Sequence, residues 1–358
     1  MAKQRLQTAG LALAAVSAIL SATPVSAQSV ADFYKGREVD IIIGSGVGGG
    51  YDQYSRVLAP YWSRHMPGNP NMVVKNMPGA EGAVMMNYLA VKAKTDGTEI
   101  GNPFGQSLIQ PVFDKGAVSK YDSRKMNWIG NISAQSVGCF TWKAHSAVKT
   151  MQDAMEKSAI MASTGAISAT SIYANVLNRL TGTKFKVVNG YSTSEATLAM
   201  ERGEAEGTCL SFATLVTEHP DWVEQNKLNW LSVFADKPDP NLPGVPIVAD
   251  FVKNPDDKQV VSLLISQLEM GRPYVAPPGV PADRLAALRT SFMEAMKDPA
   301  YLAEAQRLHQ IVAPSDHNDM EQLIDTAYTI PDRIIQKASD LINSASEDPN
   351  APKKKKGE

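Results

Sequence analysis

The 358-residue chain holds only two cysteines, Cys139 and Cys209, and no C-x-x-C pair. Two thiols in a chain of this size make neither a disulfide scaffold nor a thiol redox motif. They can bridge only if folding brings their Cα atoms within about 7 Å. Spacing along the chain does not show that, so unpaired buried thiols are the default expectation. The five histidines, His65, His145, His219, His309 and His317, have no metal-ligand spacing and no helical i, i+4 pair. No G-x-S-x-G elbow offers a hydrolytic serine, and no two carboxylates stand as a close acid–base pair. Catalysis therefore has little support, and neither a cofactor nor a metal is expected.

Long hydrophobic runs are also missing. The longest is residues 10–20, 11 residues that follow Lys3 and Arg5 and precede the small residues Val25, Ser26 and Ala27. A membrane helix needs about 20 apolar residues. The pattern is that of a secretory signal peptide cleaved after Ala27, residues 1–27, so a soluble periplasmic protein is expected. Without Lys3 and Arg5, the 35 basic side chains fall to 33 against 37 acidic ones, a net charge of −4. That balance gives no footprint for a nucleic-acid partner. The only dense charge run, Lys353 to Lys356, follows Pro349 and Pro352 and reads as part of a disordered tail, residues 346–358.

What is present is alternation. Removing 27 residues from 358 leaves 331, more than one hydrophobic core usually serves. Strands are expected at 39–43, 71–75 and 98–102, with helices at 51–65 and 84–91 between them. From Met126 a long apolar strand-like stretch, NWIGNISAQSVGCFTW, leads into a second α/β unit. There strands at 159–163, 184–190 and 207–211 alternate with helices at 148–157, 172–180 and 196–202. A strand at 229–237, a proline-rich link at 238–246 and a strand at 272–278 follow. Pro281, at a first helical position, opens a helix to about Lys297; further helices run from Pro299 to about Leu308 and from Asp319 onward with a break at Pro331. This favours an α/β fold of two lobes, each a mostly parallel sheet flanked by helices. Lobe 1 is expected to comprise residues 28–128 plus 234–345, and lobe 2 residues 129–233.

The strand VDIII runs into GSGVGGGYD. Gly44, Gly46 and Gly49 fit the G-x-G-x-x-G of a dinucleotide turn, but the second strand ends in Lys75-Asn76 and not in the carboxylate that would hold a ribose. The geometry survives without a nucleotide. A strand feeding through glycines into a helix aims free N–H groups and the positive end of the helix dipole at the strand's end, which is an anion site. Asp52 in the first helical turn reads as structural, ordering the loop. Similar junctions follow: NMPGAEG after the second strand, PFGQS after the third, and STGAISATS and YSTSE in the second unit. Ser and Thr before a helix are usually caps. Five such junctions at strand ends nevertheless favour a ligand cleft.

GGGYD, N-x-PGA-x-G, the DGT turn, TGAISATSIYANVLNRLTG, YSTSEATLAMERGEAEG, NLPGVPIVADF and YVAPPGVPADRLAALR together resemble the tripartite tricarboxylate transporter substrate-binding proteins, the Bug family. The resemblance runs in order along nearly the whole chain after residue 27. It implies a type II periplasmic binding protein that closes like a Venus flytrap. Such a receptor binds a small organic anion, a di- or tricarboxylate or an aromatic acid, and delivers it to membrane permease subunits. A monomer is expected. In the family the carboxylate is held largely by backbone amides and ordered water at the first two strand–helix loops, and not by an arginine clamp.

Carried onto this chain, the first loop contributes Ser45, Gly46, Val47, Gly48, Gly49, Gly50 and Tyr51. The second loop contributes Gly79 and Ala80, and the third Gln106 and Ser107. The second unit adds Thr164, Ser168 and Thr170, then Tyr191, Ser192 and Thr193. Three positions depart from the family pattern: Gly44-Ser45 replaces Pro-Phe, Ser171 replaces a histidine, and Leu210 replaces an acidic residue. The last two imply a less polar pocket, with room for a more apolar or aromatic acid. If the first removes an aromatic wall, Tyr51 is placed to supply it. Rival readings are a periplasmic sensor docking on a signalling receptor, and a secreted hydrolase.

Overall fold

The computed structural model describes residues 28–345 except 166–167. The expected signal peptide and tail lie outside the described residues. In chain order the first half comprises α1 (Val30–Tyr34), β1 (Glu38–Ile43), α2 (Gly50–His65), β2 (Asn71–Asn76), α3 (Ala83–Val91), β3 (Glu99–Asn102), α4 (Gly105–Asp114), β4 (Asn127–Asn131) and β5 (Val137–Trp142). Next come α5 (Met151–Glu156), β6 (Ser158–Ser163), α6 (Ala169–Thr181), β7 (Lys184–Asn189), α7 (Thr193–Arg202), β8 (Gly207–Ser211), α8 (Phe212–Glu218), α9 (Pro220–Glu224) and β9 (Leu228–Phe234). The remainder is α10 (Pro255–Glu269), β10 (Pro273–Ala276), α11 (Ala282–Ala295), α12 (Pro299–Arg307), β11 (Ser315–Asp316), α13 (His317–Tyr328) and α14 (Asp332–Ala345).

Among the described residues eleven strands form two sheets, one ordered β11-β4-β10-β3-β1-β2 and the other β7-β6-β8-β5-β9. The α/β alternation expected from the sequence gives the parallel part of each: β1 with β2 and β3, and β6 with β7 and β8. Both sheets are mixed, because antiparallel strands complete them. In the first, β10 runs against β3 and β4; in the second, β5 runs against β8 and β9. The apolar stretch after Met126 is two strands, not one. β4 belongs to the first sheet and β5 to the second, so residues 132–136 carry the chain across.

Helix α2 shows how the sequence positions the first loop. Tyr54, Leu58 and Trp62 recur every four residues and are buried on one face. Trp62 packs edge-on against Tyr274 and Phe292 at ring separations of 5.3 and 5.1 Å, and its indole N–H donates to Ser291 at 2.9 Å. Each large apolar side chain buried here contributes roughly 2–3 kcal/mol. The helix ends where Gly68 turns at φ +81°; a side chain there would meet the Ala31 carbonyl oxygen at 2.3 Å. Ser55 and the Tyr274 hydroxyl, 2.8 Å apart, tie α2 to β10. The start of α2 is therefore held rigidly over the first sheet.

Several local features differ from the sequence reading. Helix α10 and the short helices α4, α8 and α9 were not foreseen; α10 buries Val260, Leu263 and Leu264 in the core that also receives α14 and α6. Pro281 is the N-cap of α11 and not its first residue. The default of unpaired thiols is overturned, since Cys139 and Cys209 form a disulfide at an S–S distance of 2.02 Å. The cause is register: β5 and β8 pair antiparallel with Cys139 directly opposite Cys209, which sets their Cα atoms 4.0 Å apart. Among the described residues no helix is long and apolar enough to cross a membrane.

Candidate functional site: the strand-end loops

The anticipated loops all sit at the C-terminal ends of strands: 45–50 after β1, 79–80 after β2, 106–107 after β3, 164–170 after β6 and 191–193 after β7. In the first sheet they converge. A Cβ placed on Gly44 would lie 3.2 Å from Gly82 Cα, so the first two loops touch backbone to backbone. A Cβ on Gly82 would lie 2.9 Å from Ser107 Oγ and 3.0 Å from the Phe104 ring, which brings in the third loop. Gly82 turns at φ +87° and Gly79 at φ +140°, conformations that glycine adopts without penalty. Ala80, at φ +44°, shares the bend.

The first loop is ordered from beneath. The Asp52 carboxylate accepts the Gly48 N–H at 2.9 Å and Asn76 Nδ2 at 2.9 Å, and pairs with Arg56 at 2.9 Å. Asn76 also donates to the Ser45 carbonyl at 3.0 Å, and Gln53 donates to the Gly48 carbonyl at 2.8 Å. Burial pushes the Asp52 carboxyl up, but the bonds from Arg56, Gly48 and Asn76 outweigh it and hold it below the usual aspartate range. The structural role read for Asp52 is therefore observed. One consequence is that the Gly48 N–H is already occupied. The N-cap of α2 is Gly49, which has no side chain to offer, so the N–H groups of Gly50 and Tyr51 in the first turn lack a cap. Both residues face outward: Gly50 is exposed and Tyr51 half-buried.

The Tyr51 ring meets Phe104 edge-on at 4.7 Å. Sequence reasoning gave Tyr51 as the stand-in aromatic; Phe104, the N-cap of α4, was missed, although it is the only aromatic in PFGQS. Gln106 is exposed, whereas Ser107 is fully buried, with its carbonyl accepting the Tyr121 hydroxyl at 2.5 Å. Arg272, just before β10, also reaches this place: its guanidinium lies over the rings of Tyr51 and Tyr54 at 4.4 and 4.8 Å. An arginine opening an ordinary-looking strand gave no sequence signal.

The loops of the second sheet are built differently. Ser168 caps α6, accepting the Ser171 N–H, and its hydroxyl donates to the Gly165 carbonyl at 2.6 Å. Thr170 lies 2.7 Å from Ser168 and 2.9 Å from Ser163, and accepts the Thr164 N–H at 3.1 Å. Ser192 caps α7 in a reciprocal capping box with Glu195. Tyr191 is half-buried and packs against the edge of the apolar cluster that α7 and β6 build with Ala162, Ala196, Ala199 and Met200 among its members. The link to the first sheet runs through Tyr173 on α6. Gln267 of α10 reaches its hydroxyl at 3.5 Å; burial raises the Tyr173 pKa, the Gln267 bond lowers it in part, and the charge of the Tyr51 phenolate would raise it further.

Among the described residues no three His, Cys, Asp or Glu side chains gather as a metal-ligating group. The arrangement at the first sheet thus offers uncapped N–H donors beside an aromatic pair, a set suited to holding an anion.

The family model described as the tripartite tricarboxylate transporter family receptor matches residues 56–350. A UPF0065 protein from the gbd 5′ region of Cupriavidus necator is 28% identical over 308 residues, covering 82% of this chain and 84% of that protein. A ligand-free TctC solute-binding protein from Polaromonas superposes with a TM-score of 0.65 at 19% identity, covering 87% and 99% of the two chains. MatC of Rhodopseudomonas palustris, with bound malate, does so with a TM-score of 0.56 at 17% identity, covering 87% and 99%. The fold is that of the two-sheet periplasmic binding proteins, and the chain belongs to the tripartite tricarboxylate transporter receptor family, whose members are solute receptors and not enzymes.

Proposed function

We propose that this receptor acts outside the cytoplasmic membrane, taking a small organic carboxylate between its two sheets for delivery to the permease subunits of a tripartite transporter. The observation that carries this reading is the contact of three strand-end loops at Gly44, Gly82 and Ser107, beside an uncapped 16-residue helix. The partial positive charge at that terminus attracts an anion, and burial strengthens each N–H bond to it. Malate bound to MatC is consistent with such a ligand. The apolar character of Tyr51 and Phe104 beside the amides favours an acid with some hydrocarbon or ring surface.

Lobe boundaries are part of the same reading. The chain passes between sheets at residues 132–136 and returns after β9, so these crossings act as the hinge. Strand β4 to Asn131 stays with the first sheet and β9 to Phe234 with the second, which moves the boundaries expected at 128/129 and 233/234 to 132–136 and past 234. Ligand bridging both lobes favours the closed state by its differential affinity. Micromolar affinity corresponds to about 8 kcal/mol, within reach of a few charge-assisted hydrogen bonds and one ring contact after association costs. Thermal-shift screening of the monomeric chain from residue 28 against malate, succinate, adipate and benzoate tests the reading. A saturable rise in melting temperature with at least one acid is expected; flat melting curves for all four contradict it.

A further inference from the structure

Arg272 is 5% exposed. Among the described residues no carboxylate pairs with it. Its Nη1 donates to the Gly271 carbonyl at 2.9 Å, whereas Nε is buried without a hydrogen-bond partner. Its Nη2 lies against the start of α2, where a Cβ on Gly50 would come within 3.2 Å of it. Its guanidinium also lies over the faces of Tyr51 and Tyr54. A buried cation is costly unless paired and hydrogen-bonded, and two ring faces offset only part of that cost. The uncompensated charge and the uncapped helix terminus meet at the same point, and both are satisfied by the same missing species, an anion.

We propose that Arg272 is the fixed cation of the binding site. One oxygen of a ligand carboxylate accepts the first-turn N–H groups of α2, and the other accepts Nη2 of Arg272. The free Nε–Nη2 edge is the side of a guanidinium that matches a carboxylate in planar, two-point fashion; a small shift of the half-buried Tyr51 ring opens it. This rests on the receptor reading above and sharpens it, because backbone amides alone tolerate neutral acceptors whereas an unpaired arginine demands an ionised group. The backbone holding Arg272 is fixed by Asn131, which accepts its N–H at 2.7 Å, and by its carbonyl, which accepts the Ile132 N–H at 3.1 Å. The cation therefore sits where the chain leaves the first sheet at residue 132, so the anion it holds also contacts the crossing between sheets.

The test compares wild type with Arg272→Gln, measuring affinity by calorimetry for whichever of malate, succinate, adipate and benzoate raises the wild-type melting temperature. The variant is expected to bind roughly ten- to a hundredfold more weakly, the range for losing one charge-assisted hydrogen bond. Its ligand-free melting temperature should be unchanged or higher, since removing an uncompensated buried charge relieves a cost. Wild-type affinity in the variant overturns the proposal and leaves the receptor reading intact. A wild type that binds none of the four acids overturns both. Should Arg272→Gln not fold, Arg272→Lys carries the test, since it keeps the charge and loses the planar edge. Weakened binding then supports the proposal, and wild-type affinity overturns it.

Discussion

The loops of the two sheets look alike in sequence, small residues between a strand and a helix, yet they do different work. At the first sheet, glycine is the N-cap of α2 and provides no side chain, so helix donors stay open. At the second, Ser168 and Ser192 cap their helices with their own hydroxyls. Glycine at such a junction leaves donors for a ligand; serine satisfies them internally. The second sheet also has a covalent staple that the first lacks.

The largest expected effect removes that staple. Reducing Cys139–Cys209, which closes a loop of 70 residues, should cost about 4 kcal/mol. If the sheets respond separately, hydrogen exchange should show β5 to β9 losing protection before β1 to β3. Equal loss in both would mean that the core shared by α6, α10 and α14 makes them a single cooperative unit. Next, Gly82→Ala places a side chain at φ +87° against Ser107 and Phe104. It should destabilise by roughly 2 kcal/mol and weaken ligand binding, read by denaturant unfolding and calorimetry.

A smaller effect is expected at Asp52. Asp52→Asn loses the charge behind the Gly48 and Arg56 contacts and should cost about 1–2 kcal/mol. The pH dependence follows from its lowered pKa. Because the folded value lies below the unfolded one, the contribution is complete above the ordinary aspartate range. It disappears as pH falls through the folded value. Acid unfolding of wild type and Asp52→Asn should therefore converge at low pH. Smallest is Ser168→Ala, which loses the cap of α6 at about 1 kcal/mol and should leave carboxylate affinity nearly unchanged. A large affinity loss there would break the contrast between the sheets and give Ser168 a ligand.

Much of this was legible in the sequence because local chemistry fixes it. Val39 to Ile43 and Gly44 to Gly50 declare a buried strand and an open turn, and Asp52 declares a helix start. Phe104, Gly82 and Arg272 were not legible, since their importance arises from packing between segments far apart in the chain. Arg272 meets Gly50 across 222 positions only because β10 inserts between β3 and β4. The disulfide was hidden for the same reason: only the β5–β8 register sets Cys139 opposite Cys209. The sequence reading leaves residues 247–271, between the proline-rich link at 238–246 and the strand at 272–278, without an element, so helix α10 is absent from it.

The most direct measurement is a crystal structure of the protein with a carboxylate that raises its melting temperature. The account predicts a carboxylate oxygen within hydrogen-bonding distance of the Gly50 or Tyr51 N–H, beside the Phe104 ring. A ligand seated away from the ends of β1, β2 and β3, or one presenting no charged oxygen to them, would contradict it.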